Sequence, residues 1–171
     1  SREAMDINWI GESMVRQLTD NGLIHDPADL YALTKEDVLK LDRMADKSAE
    51  NVINAIAESK NRPFSRLINA LGIKFVGKET ADLLSNRFFS IDELKAAGYD
   101  DLSAIEGIGE KVAESIVNFF KNPEIIGMLE KLQNYGVKLW GEKPEAMGEQ
   151  PLSGKIFVLT GALKSMTRTE A

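Results

Sequence analysis

A short turn followed by an apolar helical run recurs four times in this chain, and that repeat limits the folds open to it. Aligned on a small residue and the polar pair after it, the windows are Gly11-Glu12-Ser13, Ala45-Asp46-Lys47, Gly77-Lys78-Glu79 and Gly109-Glu110-Lys111. Their spacings are 34, 32 and 32 residues. Four positions past the small residue stand Val15, Ala49, Ala81 and Ala113, on the side of a helix that looks back at the turn. A small side chain there lets the helix pack closely on its predecessor. Leu18, Val52 with Ile53, Leu84, and Ile116 with Val117 continue the apolar face. The strongest copy is LSAIEGIGEKVAES, Leu102–Ser115, with Gly107 and Gly109 between two short helical runs. Glycine lets backbone amides approach a partner that a Cβ would hold away. Gly109 also opens a helix, whose first amides favour an anion. A repeated amide-lined anion site suits a polymer of phosphates better than one small ligand.

Composition bounds the rest. The 171 residues, 43% hydrophobic, are enough for one or two ordinary cores. No apolar run approaches the 18 or so residues of a membrane span, and Ser1-Arg2-Glu3-Ala4-Met5 lacks the apolar centre of a signal peptide. Cysteine is absent, which excludes disulfides and thiolate metal sites. The single histidine, His25, lies in the turn Gly22–Pro27 without ligand partners and reads as a surface residue. These features predict a cytoplasmic protein. The net charge of −6 and pI near 5.0, taken alone, argue against nucleic acid, whose binders carry a basic patch. A few lysines at helix N-termini can still make a local positive site on an acidic protein.

Between the repeats the chain also reads as helical. Asp26-Pro27 opens a helix through Leu33, with proline at its first position. Thr34 with Asp37 opens the next. Arg62-Pro63 breaks the long helix Lys47–Ser59 and starts another through Ala70. Ser90-Ile91-Asp92-Glu93 forms a capping box, and Gly98 is the C-terminal stop of its helix. Asn122-Pro123-Glu124 caps a final helix ending at Gly136. Val137–Trp140 reads as extended. Residues 142–151 are polar, with two prolines and a glycine, and read as a linker. Lys155–Thr160 is a β-type run followed by Gly161, and Thr167–Glu170 resembles the capping box of a helix cut off at Ala171. The expectation is a helical domain over 1–141 and the incomplete start of a second, α/β domain over 152–171.

The recurring unit, apolar-x-Gly-apolar-Gly between two helices, resembles the helix–hairpin–helix motif. The fourth copy, Ile105–Gly109, matches it fully. The third, Ile73–Gly77, and the first, Ile7–Gly11, keep only the second glycine; the second, Leu41–Ala45, has neither. The chemistry this predicts is phosphate contact without base reading, from hairpin amides and the helix N-terminus behind them. The candidate DNA-binding residues are Gly107, Ile108, Gly109 and Lys111, then Gly77 and Lys78, then Gly11, then Lys47 and Arg43. Fitness for close approach ranks the hairpins fourth, third, first, second. Arg43, in a glycine position, either disables the second hairpin or reaches the backbone as a cation. Gly72–Lys78 also reads as GxxxxGK, the opening of a P-loop, but Glu79 replaces the required hydroxyl and no strand precedes it. Trp9 and Trp140 could stack on bases, yet a lone tryptophan beside a helix pair is more often core, and both are read so. No nucleophile motif, carboxylate pair or metal constellation stands out. A helical protein-interaction scaffold, and the same motif in a repair nuclease or a Holliday-junction factor, are the alternatives.

The whole chain resembles the C-terminal part of the bacterial NAD⁺-dependent DNA ligases. The resemblance rests on Ser1–Ile7, Gly22–Tyr31, Lys47–Asn51, Ala70–Ile73 with Val76-Gly77, and on Leu152–Gly161 with Met166–Arg168 and Glu170-Ala171. It implies tandem helix–hairpin–helix repeats, a mainly α, SAM-like helical domain, followed by a truncated α/β BRCT segment. It implies a monomeric clamp on nicked double-stranded DNA, serving replication and repair, with no catalytic residue in this segment. NAD⁺, Mg²⁺ and Zn²⁺ are implied for the parent enzyme, whose KxDG adenylation motif and tetracysteine zinc site do not occur here. In the BRCT start, Thr160 and Gly161 occupy the position of a family phosphate site; capping of the strand end by Thr160 is an equal reading. Trp9, Arg43 and Ala45 depart from the family's glycine pattern.

Overall fold

The computed structural model describes residues 4–143 of the chain. They form nine α-helices and one 3-10 helix. The α-helices are α1 (Glu12–Asp20), α2 (Lys35–Leu39), α3 (Asp46–Ser59), α4 (Phe64–Ala70), α5 (Lys78–Arg87), α6 (Ile91–Ala96), α7 (Tyr99–Ser103), α8 (Glu110–Lys121) and α9 (Pro123–Asn134). The 3-10 helix, Pro27–Ala32, stands where the sequence predicts a helix opened by Asp26-Pro27. The expected linker, apart from residues 142 and 143, the β-type run Lys155–Thr160 and the pair Thr160-Gly161 lie outside the described residues.

Two cores divide the helices. Leu18, Ile24, Val38, Leu41, Ala49, Val52 and Ile56 form the first, between α1 and α3. The second is larger and gathers α4 to α9 around Leu84, Leu94, Leu102, Ala113 and Ile116, each fully buried. The second unit repeats the first at an interval of 64 residues from the α2 and α7 caps onward. Val38 and Leu102, Ala49 and Ala113, and Val52 and Ile116 are equivalent buried pairs. Capping repeats too. The Asp37 carboxylate accepts from the Thr34 amide at 3.1 Å, and Asp101, 64 positions on, accepts from the Gly98 amide at 3.0 Å. The four-fold periodicity of the sequence is therefore two pairs of hairpins, each pair with its own core.

α9 joins the units. It packs against the 3-10 helix, where the Lys131 ammonium lies 2.6 Å from Asp26 Oδ2 and 2.9 Å from Asp29 Oδ1. The segment after α9 then runs back along the second unit. Ile91 donates to the Leu139 carbonyl at 3.0 Å and Gly141 to that of Phe89 at 2.9 Å, around an antiparallel bridge between Ser90 and Trp140.

Several sequence expectations are corrected. Trp9 and Trp140 are not core residues: they are 66% and 54% exposed. Gly98 does stand just past the end of α6, but with an ordinary φ of −81°, and it also opens α7. At Ser90 the hydroxyl does accept from the Glu93 amide, but the Glu93 carboxylate reaches one residue further back, to the Phe89 amide at 2.8 Å. The reading of a helix and no strand ahead of the P-loop-like stretch holds, since α4 stands there.

Candidate nucleic-acid interface

The four hairpins share one backbone form despite their different sequences. In each, the amide of the fourth residue donates to the carbonyl of the first: Ile10 to Ile7 at 3.4 Å, Met44 to Leu41 at 3.3 Å, Val76 to Ile73 and Ile108 to Ile105 at 3.0 Å. The third residue is left-handed throughout, with φ of 72° at Trp9, 61° at Arg43, 67° at Phe75 and 91° at Gly107. The fifth is extended and opens the next helix, with φ between −79° and −101° at Gly11, Ala45, Gly77 and Gly109. The missing glycines of the first three copies thus do not change the turn. Apolar side chains at the first and fourth positions anchor it. Ile73, Val76 and Ile108 are buried, as is Leu41.

Backbone strain calls for glycine at the third position, yet three hairpins carry it at the fifth. There the φ is one any residue adopts, and a Cβ on Gly11, Gly77 or Gly109 would meet nothing within 4 Å. Neither strain nor internal crowding explains those three glycines. All three are exposed, so the space that they leave open faces outward.

The helices behind them begin bare. No side chain caps α1, α3, α5 or α8. The 3-10 helix, α2, α6 and α9 are capped by Asp26, Thr34, Ser90 and Asn122, and the short α4 and α7 start without a side-chain cap behind Pro63 and Gly98. The first amides of a helix have no partner within it, and together with the helix dipole they present partial positive charge. At α8 the amides of Gly109, Glu110 and Lys111 donate to no acceptor among the described residues. Lys78 is the first residue of α5, and Lys47 and Lys111 are second in α3 and α8. With Arg43 they are exposed and make no ion pair among the described residues. Two of the four acids at these starts are paired, while Glu79 and Glu110 make no ion pair among the described residues. Asp46 takes the Lys35 ammonium at 2.9 Å, which raises the lysine's pKa, and Glu12 meets Arg16 at 3.5 Å.

Of the predicted site residues, Gly107, Gly109, Lys111, Gly77, Lys78, Gly11, Lys47 and Arg43 lie exposed on these corners. Ile108 does not join them. It is 4% exposed and its amide closes the turn, so it anchors the hairpin from inside. Within each unit the second hairpin leans on the helix of the first. The Asp42 amide donates to Gln17 Oε1 of α1 at 2.9 Å. In the other unit Leu83 of α5 crowds Gly107, where a Cβ would come within 2.9 Å of Leu83 Cδ1. The Ser115 hydroxyl of α8 also donates to the Lys74 carbonyl at 2.8 Å, tying hairpin four's helix to hairpin three. These cross-contacts, the exposure of Trp9, and Phe75 as its counterpart at the third position escaped sequence reasoning. Stacking the four windows on Gly107 is the signal that finds the latter.

Comparison with known proteins agrees with this geometry. A family model described as "SAM-like Helix-hairpin-helix tandem" matches residues 1–58, and one described as "Helix-hairpin-helix motif" matches residues 66–129. The two matches coincide with the two cores. Relatives named DNA ligase align with the entire chain: 43% identical in Halalkalibacterium halodurans, 45% in Chloroherpeton thalassium and 48% in Dehalococcoides mccartyi. The chain spans about a quarter of the length of these relatives, 25% or 26%. Two tandem hairpin units and this similarity over its full extent mean that the chain belongs to the bacterial DNA ligase family, as a helix–hairpin–helix segment of it.

Proposed function

We propose that this segment grips duplex DNA on either side of a nick for an NAD⁺-dependent ligase, with hairpin amides on phosphates and no reading of base sequence. The observation that carries this reading is the set of outward-facing, sterically unforced glycines at the uncapped starts of α1, α5 and α8. An approaching phosphate needs the space that a Cβ would take, and needs the amides that a side-chain cap would occupy. Lys78, Lys111, Lys47 and Arg43 add charge at the same corners. Two hairpins locked side by side in each unit can each hold one backbone strand.

The segment's part in such a ligase is positional. Holding two ends in reactive geometry supplies a large share of a rate enhancement without any chemical group. The chain contains no KxDG adenylation motif and no cysteine for the zinc site, and no chemical step is assigned to it. Thr160 and Gly161 belong to this reading only as the start of a BRCT domain. A soluble monomer working in the bacterial cytoplasm, in replication and repair, completes the proposal. Among the described residues no helix is long and apolar enough to cross a membrane.

The test is a titration of nicked duplex at several salt concentrations. Binding should weaken on a log–log plot with a slope near −0.9 per phosphate neutralised. Salt-insensitive binding, or binding that depends on base sequence, contradicts the proposal, and a failure to bind at low salt favours the scaffold reading.

A further inference from the structure

The third positions of hairpins one and three hold large apolar residues where the backbone favours glycine. Trp9 has φ 72° and is 66% exposed; Phe75 has φ 67° and is 56% exposed. A bulky residue at such a φ is an outlier, and exposed aromatic surface is itself unfavourable in water. The protein thus carries two costs at one position, twice, although Gly107 shows that the same turn accommodates glycine. The Lys74 ammonium sits 4.9 Å over the Phe75 ring, which places a cation and an aromatic face together. Lys111, Glu114 and Asn118 line the same cleft as Phe75, so its charge is mixed. Trp9 and Phe75 stand two residues before the open glycines Gly11 and Gly77, so a phosphate held there puts its own sugar and base edge within reach of the rings.

Resting on the proposed function, we infer that Trp9 and Phe75 are minor-groove wedges: their rings press on deoxyribose faces and base edges of the duplex whose phosphates the hairpins hold. Apolar side chains inserted at base steps are a known means of fixing and bending a duplex from the minor groove. A hydrophobic wedge adds affinity without releasing counterions, so it contributes to binding and not to salt dependence. Occupying the first and third hairpins, the rings mark one wedge in each of the two units.

Trp9→Gly and Phe75→Gly in the 171-residue chain test this, because glycine suits both φ values and the fold survives. Binding to a fluorescein-labelled nicked duplex, read by anisotropy, should weaken about tenfold for each variant with an unchanged salt slope. Lys78→Ala should instead lower the slope by about one unit. In Trp140→Phe, Trp9 is the sole tryptophan, and duplex should shield it from acrylamide quenching. Wild-type affinity in both glycine variants, or a Trp9 as open to acrylamide in the complex as in free protein, overturns the wedge while leaving phosphate binding intact. Failure of the wild-type chain to bind duplex removes the underlying reading and the wedge with it.

Discussion

Gly107 and Gly109 stand two residues apart and are kept for opposite reasons. Gly107 has φ 91° and Leu83 Cδ1 waiting 2.9 Å from where its Cβ would be. Gly107→Ala is expected to destabilise the chain by about 1–3 kcal/mol, read by thermal denaturation. Gly109 is unstrained and open. Gly109→Asp supplies the missing N-cap, so it should stabilise by about 0.5–1 kcal/mol while lowering duplex affinity more than tenfold. A variant that folds better and binds worse separates a binding glycine from a structural one. Sequence reasoning treats the two alike as permitting close approach, because φ and the nearness of Leu83 are set by tertiary packing. The same limit hides Trp9, Arg43 and Phe75, which read as lost glycines and are instead residues held in a glycine's conformation.

At the level of elements, caps are the most legible feature. Asp26-Pro27 and Thr34 with Asp37 mark helix starts because a side-chain oxygen and an acid three residues on satisfy exposed amides locally, without tertiary help. Thr34→Ala should cost about 1 kcal/mol, measured by urea denaturation. The Lys40 ammonium, with Thr34, holds the Asp37 carboxyl down to about 2. A depressed carboxyl stabilises the fold fully above the ordinary carboxylate range, and that contribution is lost as pH falls toward the lowered value. The stability gap between wild type and Asp37→Asn should therefore be constant at neutral pH and close between about pH 4 and pH 2. What the caps do not reveal is the kind of helix that follows. Pro27–Ala32 winds as a 3-10 helix where it packs against α9, and Glu93 passes over Ser90 for the Phe89 amide.

Across the whole molecule, four repeats become two units. The 32-residue period is visible in the small residues, but the pairing depends on which hairpin leans on which helix, as Gln17 with Asp42 and Leu83 with Gly107 show. The units are joined by Ala28 and Tyr31 of the 3-10 helix packing on the second core, and by Lys131 of α9, whose pKa rises because Asp26 and Asp29 share its ammonium. Burial pushes the Asp29 carboxyl up, but the His25 amide and Lys131 outweigh it and hold it low. Lys131 and Asp29 are thus both charged at neutral pH. Lys131→Met should leave both cores intact and weaken the junction between them, so that calorimetry shows a broader transition at lower temperature. A single unchanged transition would place the coupling elsewhere.

Everything functional in this account depends on bare amides at hairpin corners taking up phosphate oxygens. The most direct measurement is a titration of the ¹⁵N-labelled chain with nicked duplex, followed in amide spectra at low salt. The largest downfield proton shifts are expected at Gly109, Glu110 and Lys111, and at Gly77 and Lys78, with the capped starts at Thr34 and Asn122 unmoved. Duplex bound with those corner amides unshifted would contradict phosphate uptake there.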